Sequence, residues 1–255
     1  MSSPVKLSAV VITRNNAATI RRCVGSMTFA DEIIVLDSGS TDETMEISRA
    51  LGAQVHETSD WPGYGPQKNR ALKLATGEWV IAIDSDEWIT PALRAEIERT
   101  IASAGARAAY AIPRRSSFCG RYMKHSGWWP DYVVRLFRRE AGRYSDDRTH
   151  ERLLVDGATG RLTEPIMHEA INDLDQMLLK MNAYSSSSAQ SRYEQGRRAT
   201  LGTAVLHGAW TFFRTYVLRL GFLDGREGFM LAVANAEGSY YRYAKLMLLD
   251  RERKE

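Results

Sequence analysis

The chain has 255 residues, 44% of them apolar, which is enough for one large domain or for one domain with an appendage. Two cysteines, Cys23 and Cys119, are too few for a disulfide framework and are typical of a protein in a reducing cytosol. No run of about 18 apolar residues occurs, so we expect no membrane span. The first residues lack the pattern of a secretory signal, so none is expected.

The net charge is only +3, but basic residues are concentrated between Arg107 and Arg148. Ten Arg and Lys residues lie in this span against four Asp and Glu residues, which gives a local charge of +6. Such a patch favours an anionic partner: a phosphorylated substrate, an acidic lipid surface or a nucleic acid. A solvated basic face explains the charge alone equally well.

The first 90 residues alternate between short apolar runs and segments with helical spacing. Strands are predicted at 7–12, 33–36, 53–56 and 79–83, with helices between them. Ser40 and Glu43 have the spacing of a capping box, and Thr90 before Pro91 predicts another helix start. These repeats predict a parallel, doubly wound α/β sheet. The absence of Gly-x-Gly-x-x-Gly and Gly-x-x-x-x-Gly-Lys argues against a dinucleotide oxidoreductase and a P-loop enzyme.

Three carboxylates follow the apolar run at 79–83: Asp84, Asp86 and Glu87. Carboxylates this close repel one another unless a cation offsets their charge. Ligands of open parallel sheets bind just outside the carboxyl ends of the strands. Because hard oxygen ligands suit Mg²⁺ or Mn²⁺, we interpret the stretch as a clamp for a divalent cation that holds a nucleotide diphosphate. The alternative is an acidic turn before the helix that Thr90 begins.

After residue 101 the pattern changes. Strands are predicted at 110–112 and 132–137, joined by a loop rich in Trp, Gly and Arg, and the chain reads as helical from Asp173 onward. Arg135 and Arg138 alternate with apolar residues and are expected on one strand face, where they meet acceptor phosphates or pair with Asp146 and Asp147. Nine aromatic residues between Trp210 and Tyr243 lie among basic ones, which favours a helix on an anionic membrane surface over packing against the main domain.

Four motifs in the N-terminal half resemble those of family 2 glycosyltransferases with the GT-A fold. They are VITRN at 11–15, DSGSTD at 37–42, KNRA at 68–71 and DSD at 84–86. The second half is similar to the bacterial lipopolysaccharide core β-1,4-glucosyltransferase family. That similarity is carried by WWPD at 128–131, RLFR at 135–138, HE at 150–151 and GFLDG at 221–225.

The resemblance implies a fold, a domain organisation and a reaction. The fold is GT-A, a Rossmann-like and mainly parallel sheet flanked by helices, with a helical C-terminal extension. The GT-A domain is expected at 1–172, with a nucleotide-sugar half at 1–101 and an acceptor half at 102–172, and the helical region at 173–255. The reaction is transfer of glucose from UDP-glucose to a heptose of the lipid-linked inner core, at the cytoplasmic face of the inner membrane.

The resemblance also implies which residues form the site. Asp84 faces the ribose and the metal, Asp37 and the turn at 13–15 hold the uridine, and Lys68 or Arg70 adds positive charge. The expected nucleotide-sugar residues are Thr13, Arg14, Asn15, Asp37, Lys68, Arg70, Asp84 and Ser85. The expected metal residues are Asp84, Asp86, His150 and His168, with Mg²⁺ or Mn²⁺ as the ion. For each histidine the alternative is a structural hydrogen-bonding role.

A base must accept the proton of the attacking sugar hydroxyl, and a carboxylate can do so. Glu151 is the first candidate and Asp131 the second. One displacement without a covalent sugar–enzyme step would invert the anomeric centre. The expected partners are a UDP-sugar donor, a lipid-linked anionic glycan acceptor and an anionic membrane surface. A donor or acceptor of another kind, or a nucleotide-sugar-binding protein without turnover, is the competing interpretation. No nucleic-acid partner is expected, because no recognition motif occurs.

Overall fold

The computed structural model describes residues 6–103, 105–146 and 151–252. By their internal contacts these residues form two units: the described residues up to Arg114 with those between Asp131 and His168, and Arg115–Pro130 with the described residues from Glu169 onward. We call them the first and the second unit. The predicted boundary at 172/173 places 115–130 in the GT-A domain, whereas the contacts group these residues with the C-terminal helices.

The helices and strands have the following bounds. The helices are α1 Ala17–Gly25, α2 Thr44–Ala50, α3 Tyr64–Leu72, α4 Pro91–Ala102, α5 Leu174–Glu194, α6 Leu201–Phe213 and α7 Gly225–Glu252. The strands are β1 Leu7–Thr13, β2 Glu32–Asp37, β3 Gln54–Glu57, β4 Trp79–Ala82, β5 Glu87–Ile89, β6 Ala109–Phe118, β7 Arg121–Tyr122, β8 Asp131–Arg138, β9 Gly142–Tyr144, β10 Leu153–Val155, β11 Thr159–Arg161 and β12 Ile166–Ile171.

The sheet of the first unit runs β3-β2-β1-β4-β8-β6-β12-β5. Strands β3, β2, β1 and β4 are parallel, as the alternating pattern predicts. Strand β8 then pairs antiparallel with both β4 and β6, and β12 pairs antiparallel with β5. The carboxyl ends of β1, β2 and β4 therefore meet at one edge of the sheet, where Thr13, Asp37 and Asp84 lie.

Apolar side chains cover both faces of this sheet, because successive residues of a strand point to opposite sides. In β1, Ala9 and Val11 pack with Ile20 of α1 on one face. Val10 and Ile12 pack on the other face with Ala71 of α3. Burial on both faces explains why the central strands read as continuous apolar runs.

One predicted helix start is confirmed and another is wrong. The side chain of Thr90 caps α4 by accepting a hydrogen bond from the amide of Leu93. The capping box expected at Ser40 and Glu43 does not form, since α2 begins at Thr44 and Glu43 makes no side-chain cap. Ser40 instead donates its hydroxyl hydrogen to Asp37, which also accepts from the Ser40 amide at 2.7 Å.

The second unit is built on the predicted C-terminal helices. Asp173 caps α5, and Thr200 caps α6 in a capping box with Thr203. Its core joins residues of 115–130 to the helices. Phe118, Met123, Met177, Leu231 and Ala234 are buried together. This shared core groups residues 115–130 with the C-terminal helices.

Some of the C-terminal aromatic residues pack within the second unit. Phe212, Tyr216 and Phe229 form a cluster with ring centroids 5.5–5.7 Å apart, and Tyr243 stacks on His207 at 4.1 Å. Others remain exposed on α6. Among the residues that the structure describes, none of the helices combines the length and apolar character needed to cross a bilayer.

Candidate active site

Asp84 begins a tight turn between β4 and β5. The amide of Glu87 donates to the carbonyl of Asp84 at 2.9 Å, and the amide of Asp84 donates to the Glu87 carboxylate at 3.0 Å. Ser85 and Asp86 lie inside this turn, partly exposed. The turn gathers three carboxylates at the carboxyl end of β4, where open α/β sheets bind ligands.

Two buried cations neutralise the Asp84 carboxylate. Lys68 of α3 donates to Oδ1 of Asp84 at 2.9 Å and to Oε1 of Glu151 at 2.8 Å. Arg135 of β8 donates to Oδ2 of Asp84 and, at 2.7 Å, to the fully buried Glu87. Both oxygens of Asp84 are thus paired with cations, and each oxygen keeps a further lone pair for a ligand or a metal ion.

These pairs shift the ionisation of the residues involved. Burial alone would raise the pKa of Asp84, but Arg135 and Lys68 together hold the pKa of that carboxyl well below its usual range. Burial alone would lower the pKa of Lys68, but Asp84, together with Tyr144 and Glu151, raises the pKa above the ordinary value. Asp84 is therefore an anion and Lys68 a cation throughout the physiological range.

Arg135 enters the site at an irregularity of β8. In the pairing with β6, Tyr110 lies opposite Leu136 and Ala111 opposite Val134, so Arg135 is the extra residue of a β-bulge. Bulges redirect side chains and occur beside active sites. The expectation that Arg135 shares a face with Arg138 is wrong, because the two residues are three positions apart and an odd spacing on a strand places side chains on opposite faces. Arg138 pairs with Glu78 rather than with Asp146.

A cavity of about 430 Å³ opens beside these ion pairs. Its charged lining includes Lys68, Asp84, Arg135 and Glu151. The buried hydroxyl of Tyr144 also faces this region, and it has no hydrogen-bond partner among the described residues. Burial raises the pKa of Tyr144, so its hydroxyl stays protonated and is available to a bound ligand.

Asp86 and His168 form the pair best suited to a metal ion. Nε2 of His168 lies 3.5 Å from the Asp86 carboxylate, because β12 pairs with β5 with His168 opposite Glu87. Carboxylate oxygen and imidazole nitrogen are both ligands of Mn²⁺-type ions. Within the described ranges, no group of three His, Cys, Asp or Glu side chains is arranged to hold a metal. His150, the other predicted histidine, lies outside the described residues.

The expected uridine residues meet at the ends of β1 and β2. Asp37 is fully buried and accepts hydrogen bonds from the amides of Gly39 and Ser40. Asn15, with a φ of 53°, accepts from the amide of Thr41 at 2.8 Å. These hydrogen bonds fix the turn that follows β2 around the Asp37 carboxylate. Thr13 is buried at the end of β1, and Arg14 beside it is exposed.

Arg70 does not join the ion pairs around Asp84. It forms a two-pronged pair with Asp60 at 2.7 and 2.9 Å, and both side chains are largely exposed. Lys68, two residues earlier on α3, is nearly buried. The structure thus brings Lys68 to Asp84 and places Arg70 with Asp60.

Both base candidates lie in the first unit, each paired with a cation. Glu151 pairs with Lys68, and 17% of its side chain is exposed. Asp131, at the start of β8, pairs with Arg114 at 2.6 Å, and 43% of its side chain is exposed. Arg114 also approaches Glu87 at 3.6 Å, which links Asp131 to the acidic turn.

Arg135 and Tyr144 lie beside the acidic turn although neither was predicted there. The signal for Arg135 is an arginine inside a strand of apolar residues, since a buried cation requires a buried anion. Tyr144 carries no comparable signal, because its burial depends on the pairing of β9 with β10 and on contacts with α3.

The parallel strands with the acidic turn at their edge define a GT-A glycosyltransferase. The chain belongs to glycosyl transferase family 2, whose family model matches residues 8–161. An uncharacterised glycosyltransferase of Rickettsia bellii is 31% identical over 94% of this chain and 86% of its own length. The lipopolysaccharide core biosynthesis glycosyltransferase LpsC of Rhizobium meliloti is 29% identical over 96% of this chain and 93% of its own length.

The solved structure of Staphylococcus aureus TarS 1–349 is similar in fold. The match has a TM-score of 0.52 and 16% sequence identity, and it covers 97% of this chain and 92% of that one. It confirms the predicted fold class, a GT-A sheet with flanking helices and further helices at the C-terminus.

Proposed function

We propose that the chain transfers a hexose from a UDP-sugar to a heptose of the lipopolysaccharide inner core, with inversion at the anomeric carbon. Glucose from UDP-glucose is the first donor to test. The observation that carries the transfer is the acidic turn at the end of β4, where Asp84 is fixed by Lys68 and Arg135. The name of LpsC, which is similar over nearly the whole chain, supports the acceptor class.

Each part of the site has a role in this proposal. Asp37 and the turn at 13–15 bind the uridine, and Asp84 accepts a hydrogen bond from the ribose. Asp86 and His168 would hold Mg²⁺ or Mn²⁺, which stabilises the negative charge that develops on the departing diphosphate. Glu151, or Asp131 in its place, accepts the proton of the attacking hydroxyl. A single displacement then inverts the configuration.

The lipid-linked acceptor places the enzyme at the inner face of the cytoplasmic membrane. A sugar attached to a lipid lies close to the bilayer surface, so the enzyme must work at that surface. Burial of apolar residues and attraction of basic residues to anionic lipid would together hold the enzyme at that surface. Both contributions are non-covalent, so the binding would be reversible.

The test is acceptor-dependent release of UDP. Purified protein is mixed with a UDP-sugar, Mn²⁺ and an inner-core oligosaccharide that ends in heptose, and UDP is measured with and without acceptor. Calorimetric titration with UDP-glucose, UDP-galactose and UDP-N-acetylglucosamine identifies the preferred donor. Donor binding without acceptor-dependent turnover on any heptose-containing glycan would support a binding protein and contradict the proposal.

A further inference from the structure

Helix α6 carries an apolar surface that faces outward. None of its 13 residues is Asp, Glu, Lys or Arg. Its buried side consists of small residues, Ala204 and Gly208, and Gly208 lies close to Tyr240 of α7. Among its large apolar residues, Phe212 packs against Phe229 of α7, whereas Leu206 is 71% and Trp210 54% exposed. The helix thus packs through Ala204, Gly208 and Phe212 and leaves its other large apolar residues exposed.

The exposed surface continues beyond the end of α6. In the π-helical turn Arg214–Leu218, Val217 and Leu218 are exposed. The chain then reverses at Leu220, which has a φ of 56°, and Phe222 and Leu223 are about half exposed. We call the exposed apolar residues from Leu201 to Leu223 the α6 surface. Contiguous exposed apolar residues of this kind mark an interaction site more often than chance exposure.

Basic residues flank the α6 surface. Five arginines lie between residues 197 and 226, namely Arg197, Arg198, Arg214, Arg219 and Arg226. The acidic residue in the same span is Asp224, and it is buried. Its carboxylate accepts hydrogen bonds from the amides of Lys124 and His125 at 3.1 and 2.9 Å. The span has a net charge of +4, which becomes +3 when the next residue, Glu227, is included, since Glu227 pairs with Arg226 at 2.6 Å.

Exposed apolar residues bordered by arginines favour a membrane surface as the partner. An apolar face with arginines at its borders fits a bilayer that contains anionic lipid, where the apolar residues enter the acyl region and the arginines meet the headgroups. A second copy of the chain fits poorly, because a two-fold interface would bring the same arginines of both copies together. A polar macromolecule would leave the leucines and Trp210 in contact with water.

We propose that the α6 surface docks the protein on a membrane of anionic lipid. The inference rests on the proposed function for its biological meaning, because a lipid-linked acceptor requires an enzyme at the bilayer. It names the segment that makes the contact.

The test is sedimentation with vesicles of phosphatidylcholine containing about one-third phosphatidylglycerol. Leu206→Glu and Trp210→Glu should each weaken partitioning by about ten-fold or more, since a large apolar group is lost and a like charge is added. Arg197→Gln with Arg198→Gln should weaken binding at low salt and make it less dependent on salt. The matched control is Leu179→Glu on α5, where the leucine is 73% exposed and lies near Asp173 and Asp175. It should bind more than the α6 variants.

Several outcomes would overturn the inference. In the first, the wild type fails to sediment with the vesicles at both low and high salt. In the second, Leu179→Glu and Trp210→Glu lose vesicle binding to the same extent. Light scattering that shows a dimer which Leu206→Glu dissociates, without vesicle binding, would assign the surface to a second copy. Transfer to a delipidated, water-soluble acceptor separates the two proposals. If Trp210→Glu keeps transfer to the soluble acceptor but loses vesicle binding, the proposed function and the docking surface are both supported. If the wild type binds vesicles but transfers no sugar, the proposed function is contradicted and the docking surface is still supported.

Discussion

Replacement of Arg135 by Met should destabilise the first unit far more than the same replacement at Arg138. Arg135 is buried and is bonded to Asp84 and to Glu87, which has no solvent exposure. Removal of one partner from a buried ion pair costs about 3–5 kcal/mol, because the remaining charge stays buried without compensation. Asp84 keeps Lys68 as a cationic partner at 2.9 Å, whereas Glu87 keeps the amide of Asp84 and the more distant cation Arg114 at 3.6 Å. We therefore assign most of the loss to Glu87.

Arg138 provides a matched control on the same strand. It pairs with Glu78, and the two side chains are 38% and 60% exposed. It also lies over the ring of Trp79. The exposed ion pair contributes about 0.5 kcal/mol, and the contact of the partly exposed guanidinium with the buried Trp79 ring adds about 1 kcal/mol.

The assay is urea unfolding of the full chain, followed by tryptophan fluorescence. Arg135→Met should lower the unfolding midpoint well below that of Arg138→Met. Arg135→Lys, which keeps the charge and loses the forked geometry, should fall between them. Equal midpoints for the two Met variants would refute the assignment of Arg135 as the buried counter-ion of the acidic turn.

Two further predictions concern catalysis. Asp86→Asn should fold normally, because the residue lies in a partly exposed turn, and turnover at saturating Mg²⁺ or Mn²⁺ should fall by about two to four orders of magnitude; near wild-type turnover would remove the metal assignment. Glu151→Gln should abolish transfer but leave UDP-sugar affinity, measured by calorimetry, within about three-fold, because the amide oxygen can still accept from Lys68. If Asp131→Asn shows this behaviour and Glu151→Gln does not, the two roles are exchanged.

The order of strands and helices in the first 90 residues could be predicted because it depends on local information. The apolar runs of β1, β2 and β4 are short and buried on both faces, and they alternate with helical spacing. The position of Asp84 at the end of β4 follows from the same local pattern. The parallel half of the sheet therefore needed no knowledge of distant contacts, whereas the GT-A fold class was implied by the resemblance of the motifs.

The features that were missed depend on contacts between distant parts of the chain. Arg135 reaches Asp84, 51 residues earlier in the chain, only because of a bulge in the pairing of β8 with β6. A local pattern places Arg135 and Arg138 on a strand but does not show a register shift. Ser40 has capping-box spacing, yet the buried Asp37 carboxylate competes for its hydroxyl and prevails. Spacing shows which hydrogen bonds are available but not which one forms.

The ion pairs of the site limit what its base can do. Glu151 shares the ammonium of Lys68 with Asp84, so a proton taken up by Glu151 leaves Lys68 with one anionic partner instead of two. Proton transfer to Glu151 would therefore strengthen the hold of Lys68 on Asp84, the residue proposed to bind the ribose. Asp131 has no such link to Lys68 and is paired with Arg114 instead. If Glu151 is the base, deprotonation of the acceptor hydroxyl therefore strengthens the Lys68–Asp84 ion pair at the proposed ribose site. If Asp131 is the base, that ion pair is unchanged.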